Sequence, residues 1–223
     1  DDKEIDAIYI ATPNNFHFDQ IKLAIKHNKH ILCDKPMVLN LKESLKIIEL
    51  KKAKPNLILN IVFEYRFIPA IQKIKMLIEN GELGDILQFR ASYLHGSYIS
   101  DRPLTWRLKP QTGGATIDLG PHLLDLVNFL IGKVKVLYSS KITKIENREV
   151  DDIGIIICKV NNFIDGIIEV SRVASGSVDN LRIEIHGTKG SVKWSLEELN
   201  FFDFFTFNSS FNGYKRIPCF TNE

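Results

Sequence analysis

The chain has 223 residues, 44% of them hydrophobic and 25% charged, an ordinary balance for one large or two small globular domains. Its net charge of +2 gives no electrostatic basis for a nucleic-acid or anionic-membrane partner. No apolar run approaches the ~20 residues of a membrane-spanning helix, and residues 1–6 lack the apolar core of a signal peptide.

Residues 5–11 form an apolar, β-rich run that stops at Thr12-Pro13-Asn14-Asn15, so a buried strand and a turn are expected. Apolar residues at Phe16, Ile21, Ala24 and Ile25 have helical spacing, with Asn14 or Asn15 as the candidate N-cap. Ile31-Leu32-Cys33 is a second strand, and it delivers Asp34-Lys35-Pro36-Met37 at its carboxyl end. Open α/β sheets bind ligands there, so Lys35 is a candidate to reach a substrate; an ordinary solvated lysine is the alternative. Asn40 is expected to cap an amphipathic helix carrying Leu41, Leu45, Ile48 and Leu50, which Pro55 ends. Leu57–Phe63 is a third strand. The order strand–helix–strand–helix–strand with short connections predicts parallel βαβ units.

Pro69 opens a helix through Ile78 that closes at Asn80-Gly81. Residues 86–93 then alternate with period two, the pattern of a half-buried strand. Residues 95–112 read as a long loop containing Trp106-Arg107. From Leu119 to Ile131 the spacing is helical again, which sets Asp118 and His122 side by side on one face, with Pro121 bending the helix or lying in its first turn. Five short β-type runs follow between Val134 and Trp194, without helices, so an antiparallel or mixed sheet is expected. The phenylalanine-rich run 201–207 reads as an edge strand or an association surface. The domain boundary falls near residues 63–66, giving domains 1–64 and 65–223. Cys33, Cys158 and Cys219 are widely spaced without CxxC pairing, which predicts free thiols of a reducing, cytoplasmic compartment and no metal site.

Several segments together resemble the Gfo/Idh/MocA oxidoreductases, the glucose–fructose oxidoreductase and inositol dehydrogenase family. They are residues 5–17 (IDAIYIATPNNFH), 30–36 (HILCDKP), 64–70 (EYRFIPA), 81–86 (GELGDI), 113–122 (GGATIDLGPH) and 186–191 (HGTKGS). They occur in family order. Asp34 stands where the family's motif has Glu, and Thr112 where its triple glycine begins. No GxGxxG turn occurs. The resemblance therefore implies a chain lacking the first half of its dinucleotide domain, roughly 60 residues at ~30 per βαβ unit, and a final helical segment. The implied fold is the C-terminal half of a Rossmann domain followed by a mixed or antiparallel sheet with helices on one face.

The resemblance also implies a chemistry. NAD or NADP would carry hydride from a hydroxyl of a sugar, sugar derivative or cyclitol. Lys35, Asp118 and His122 would be catalytic and substrate-binding: Lys35 on the hydroxyl and the nicotinamide ribose, His122 as base or proton relay, Asp118 orienting both substrate and base. Tyr65 would line the substrate. Ala11, Thr12, Pro13, Asn14, His17, Asp34, Lys35, Arg66, Trp106 and Arg107 would line the cofactor. For His17 a capping role is an alternative, and for the Tyr65-Arg66 and Trp106-Arg107 pairs structural stacking is another. His27, His30, His95 and His186 receive no role. A non-catalytic dinucleotide- or sugar-binding regulator and an NAD-dependent glycoside hydrolase are the alternative functions. A homodimer or homotetramer through the open sheet face, with Ile153, Ile155, Ile157 and Ile167 as its apolar side, completes the expectation.

Overall fold

A computed structural model of the chain describes residues 2–99, 105–208 and 212–220. The fold divides into two compact units. The first is Asp1–Phe63 with Leu104–Gly113, and the second is Glu64–Pro103 with Gly114–Glu223. The long loop expected at 95–112 is therefore shared between the units. Part of it, residues 100–104, lies outside the described residues. Residues 105–113 pack with the first unit because Asn14 Nδ2 donates to Thr112 O at 2.9 Å and Leu108 is buried.

In the first unit, strands β1 (Ala7–Ile10), β2 (His30–Cys33) and β3 (Leu59–Ile61) form a parallel sheet in that order. Ile10 is level with Cys33, and Cys33 with Ile61. Helices α1 (His17–Lys26) and α2 (Leu41–Lys52) connect the strands and pack against each other. Ile10, Ile31 and Cys33 of the sheet close on Ile21, Ala24, Ile25 and Ile47 of the helices. Asn40 caps α2 by accepting from Glu43 N at 3.0 Å, and the Glu43 carboxylate reaches back to Leu39 N. Of the expected apolar face of α2, Leu50 packs on the core and the other three residues do not. Leu41, Leu45 and Ile48 are exposed, and Ile47 alone is buried at 1%. Two faces of this helix carry aliphatic residues, and the one whose center is Ile47 meets α1 and the sheet.

The second unit is an eight-stranded sheet in the order β11-β10-β9-β8-β4-β7-β6-β5, with β4 (Ile86–Leu94), β5 (Val134–Ile142), β6 (Ile153–Val160), β7 (Ile164–Ser171), β8 (Asn180–Gly187), β9 (Gly190–Ser195), β10 (Phe201–Thr206) and β11 (Lys215–Pro218). Every neighbouring pair is antiparallel except β4 and β7, which run parallel and end level at Leu94 and Ser171. Helices α3 (Pro69–Glu79) and α4 (Ala115–Leu130) cover one face. Period-two alternation assigns the faces. Ile156, Cys158 and Val160 point under the helices, while Ile153, Ile155 and Ile157 point away. Gly166 sits opposite Phe89, and a Cβ at Gly166 would overlap the Phe89 ring.

The phenylalanine-rich strand is not the sheet edge, because β11 pairs with it from outside. Phe202 is buried and Phe204 packs on the core, while Phe205 stacks edge-on with Phe207 at 4.9 Å. Pro121 lies inside α4 rather than in its first turn, so its missing N–H leaves no donor for the preceding turn. The three cysteines are free and buried. Among the described residues, no helix is long and apolar enough to cross a membrane.

Candidate active site

The first unit brings its candidate residues to the carboxyl ends of β1 and β2. Ala11, Thr12 and Pro13 leave β1. Asn14 does not cap α1 as the sequence suggests. Its side chain turns inward, 3% exposed, and holds Thr112 O through Nδ2. That contact fixes the amide orientation and leaves Asn14 Oδ1 a buried acceptor with no protein donor. His17, 1% exposed, joins the two strand-end loops: Nε2 lies 2.9 Å from Thr12 O and Nδ1 lies 2.9 Å from Pro36 O. It begins α1 without a capping role.

Asp34 accepts from Tyr9 Oη at 2.6 Å. Lys35 follows it, joined to Pro36 by a cis peptide, and His17 anchors that proline's carbonyl. The Arg107 guanidinium lies over the Trp106 ring at 4.2 Å, and Thr112 Oγ1 donates to Trp106 O. Arg66 is different. It forms a two-pronged ion pair with Asp125, with Nε 2.7 Å from Oδ2, and stacks over Phe129 at 5.4 Å. That engagement ties the turn Glu64–Phe67, which precedes α3, to α4.

The second unit builds its candidate site on α4. Gly114, with φ of +105°, precedes the helix in a conformation that L side chains rarely adopt. No side chain next to the helix caps it. Asp151, far along the chain, accepts from Thr116 N at 2.7 Å and Thr116 Oγ1 at 2.6 Å, and Ala115 N donates to Asp151 O. Asp118 and His122 are then 4% and 6% exposed. Asp118 Oδ2 is paired with the Arg172 guanidinium, which also lies over the Tyr98 ring at 5.1 Å. The His122 ring lies between two tyrosines, with centroids 4.8 Å from Tyr65 and 5.7 Å from Tyr93. Glu64 Oε1 is 3.8 Å from His122 Nδ1, within ion-pair range but beyond a hydrogen bond.

Behind the rings runs a polar chain. Tyr65 Oη meets Tyr93 Oη at 2.8 Å, Tyr93 Oη donates to Asp179 Oδ1 at 2.6 Å, and His95 Nε2 lies 3.0 Å from the same oxygen. Burial pushes the Tyr65 hydroxyl up to about 12, and burial with the Asp179 carboxylate pushes Tyr93 higher still. His95 moves down, first through burial and then through the Arg172 guanidinium, with Asp179 pulling the other way. Sequence reasoning missed Tyr93, His95, Arg172 and Asp179. The pairing assembles them: β4 and β7 end level, so His95 and Arg172, each just past its strand, emerge at the same carboxyl edge.

Residues 71–193 match a family model described as the GFO/IDH/MocA C-terminal domain, and residues 1–61 match one described as an oxidoreductase family with an NAD-binding Rossmann fold. A levoglucosan dehydrogenase from Pseudarthrobacter phenanthrenivorans is 31% identical over 223 residues, covering 88% of this chain and 57% of that protein. A glucose-6-phosphate 3-dehydrogenase from Bacillus subtilis is 28% identical, covering 86% and 59%. A solved levoglucosan dehydrogenase in complex with NADH and levoglucosan superposes with a TM-score of 0.93 at 30% identity, covering 98% of this chain and 62% of that one. The chain thus spans less than two thirds of each of these relatives. The parallel strand–helix unit, the mixed sheet and both family models agree: the chain belongs to the GFO/IDH/MocA family of oxidoreductases.

Proposed function

We propose that the chain carries the reacting residues of an NAD(P)-dependent dehydrogenase acting on a hydroxyl of a sugar, sugar derivative or cyclitol. The observation that supports this best is the pairing of Asp118 with His122 on α4, the acid held by Arg172 and the imidazole walled by Tyr65 and Tyr93. The dinucleotide would lie at the carboxyl ends of β1 and β2, along Ala11, Thr12, Pro13, Asn14, His17 and Asp34. The unpartnered Asn14 Oδ1 fits it, since a buried acceptor suits an amide N–H from the ligand. Trp106 and Arg107 remain candidates on the same unit, whereas the Asp125 pair favours a packing role for Arg66. When bound, the nicotinamide supplies the hydride acceptor.

The remaining chemistry falls to side chains. Lys35 donates to the hydroxyl and stabilises negative charge as it develops on that oxygen. His122 takes the hydroxyl proton, since an imidazole is the side chain best suited to general-base work near neutral pH. Asp118, kept in place by Arg172, orients the hydroxyl and the imidazole. Tyr65 lines the sugar. The natural test is Lys35→Ala in the intact protein, assayed by NADH or NADPH formation against a sugar and cyclitol panel. A loss of about 10²–10³-fold in kcat with unchanged circular dichroism is expected. Turnover within a few-fold of wild type would sink the assignment. Net reduced cofactor also separates this reading from a hydrolase, which returns its hydride, and from a regulator, which makes none. The open sheet face, with Ile153, Ile155, Ile157 and Ile167, is proposed to seat a second copy of the chain.

A further inference from the structure

We infer that Tyr65 Oη is a hydrogen-bond acceptor only, polarised from behind by Tyr93 and Asp179, and that it selects substrates offering it a free hydroxyl donor. The argument is one of proton counting. Tyr93 Oη carries a single proton and has two oxygen neighbours, Asp179 Oδ1 at 2.6 Å and Tyr65 Oη at 2.8 Å. A carboxylate cannot donate, so the Tyr93 proton goes to Asp179. The Tyr65–Tyr93 contact then has one possible donor, the Tyr65 hydroxyl. With its proton committed, Tyr65 Oη can offer only lone pairs to anything in front of it. Both phenols keep their protons, because their titrations are raised. His95 Nε2 faces the same Asp179 oxygen at 3.0 Å, and the tautomer with its proton on Nε2 donates to it.

The Tyr65 ring packs on the ring of His122, the proposed base, with centroids 4.8 Å apart. Tyr65 is thus specificity-determining, while Tyr93 and Asp179 are positioning residues acting through it. The inference rests on the dehydrogenase reading for its substrate but not for its proton direction.

The test uses a polyol that the intact protein oxidises, with its monodeoxy and monodeoxyfluoro derivatives. Fluorine accepts but cannot donate. At the position identified by Tyr65→Phe, the deoxy and deoxyfluoro compounds should both lose roughly 10–100-fold in kcat/KM, the scale of an unmade buried hydrogen bond. Tyr93→Phe releases the Tyr65 proton, so the fluoro compound should rise above the deoxy one. A merely structural role for Tyr93 would lower all three compounds together. A fluoro compound as good as the parent in wild type, or a fluoro-to-deoxy ratio unmoved by Tyr93→Phe, would overturn the inference. A second measurement needs no substrate. Proton NMR with labelled tyrosine should show a low-field Tyr93 hydroxyl proton that Asp179→Asn shifts upfield, and a Tyr65 hydroxyl proton in contact with Tyr93. A Tyr65 hydroxyl proton directed away from Tyr93 would overturn the inference even if no polyol is turned over. Failure of turnover with the expected proton pattern present would instead count against the dehydrogenase reading.

Discussion

Replacing Arg172 with Met tests whether Asp118 depends on its guanidinium. The Asp118 side chain is 4% exposed and that of Arg172 12%, so water screens the pair little. Removing one member of a buried ion pair leaves its partner's charge poorly compensated, at a cost of about 3–5 kcal/mol. Loss of the stacking on Tyr98, whose ring lies 5.1 Å from the guanidinium carbon, adds ~0.5–1 kcal/mol. Urea unfolding followed by circular dichroism should therefore show Arg172→Met destabilised by about 4–6 kcal/mol with an unchanged m-value. Asp118→Asn alone should cost less, and the double variant should recover much of the Arg172→Met loss. That recovery is the coupling between the two residues. Arg172→Lys should fall between wild type and Met, since a lysine keeps the charge but not the planar fork. A single variant within ~0.5 kcal/mol of wild type, or a double variant whose effect is the simple sum of the two singles, would refute this account of how Asp118 is held.

Two further outcomes follow from the same structure. If the open sheet face seats a second copy, light scattering on the intact protein should give at least a dimer, and Ile157→Glu should dissociate it. Ile157 and Ile167, paired across β6 and β7, are 44% and 45% exposed in the single chain, and a wild-type monomer would refute the assignment. Burial, with the Asp34 charge in second place, pushes the Cys33 thiol up to about 12. A thiol raised on folding contributes stability that is complete below the unfolded thiol's value of ~8.5. That contribution declines as pH climbs toward 12, because the unfolded state releases its proton first. Native Cys33 should thus resist alkylation at pH 8 and react promptly once urea unfolds the chain. Prompt reaction in the native state would show that the thiol is not sealed.

The sequence showed most clearly what depends on neighbours along the chain. Alternation in 153–157 named the open face of β6 correctly, because period two is set by the strand itself. Asn40 was legible as a cap because its partner, Glu43, is three residues away. The αβ order of 5–63 gave a parallel sheet for the same local reasons. Where the deciding partner is remote, the reading failed. Asn14 looked like a cap, but Thr112 claims it from 98 residues away. The aliphatic stripe of α2 at Leu41, Leu45 and Ile48 was as periodic as a buried one, and only packing shows that Ile47 is the inward residue. Asp118 and His122 could be seen as neighbours on a helix. Arg172, Tyr93, Asp179 and His95 could not, because the pairing of β4 with both β7 and β8 brings them together.

The remote cap on α4 has a consequence for the order in which the protein can mature on the ribosome. The helix bearing Asp118 and His122 finishes its first turn only with Asp151, and Asp118 meets its guanidinium only with Arg172. Tyr65, near the start of the unit, receives its orientation through Asp179. Central strand β4 likewise waits for both neighbours, β7 and β8, which are translated long after it. Non-local pairings of this kind form slowly, since a long loop must close before any contact rewards it. A nascent chain interrupted after residue 130 would hold every residue of the α4 motif without Asp151 or Arg172 to hold them. Until those partners are made, the apolar strands of this sheet lack neighbours, the condition that exposes a folding chain to aggregation.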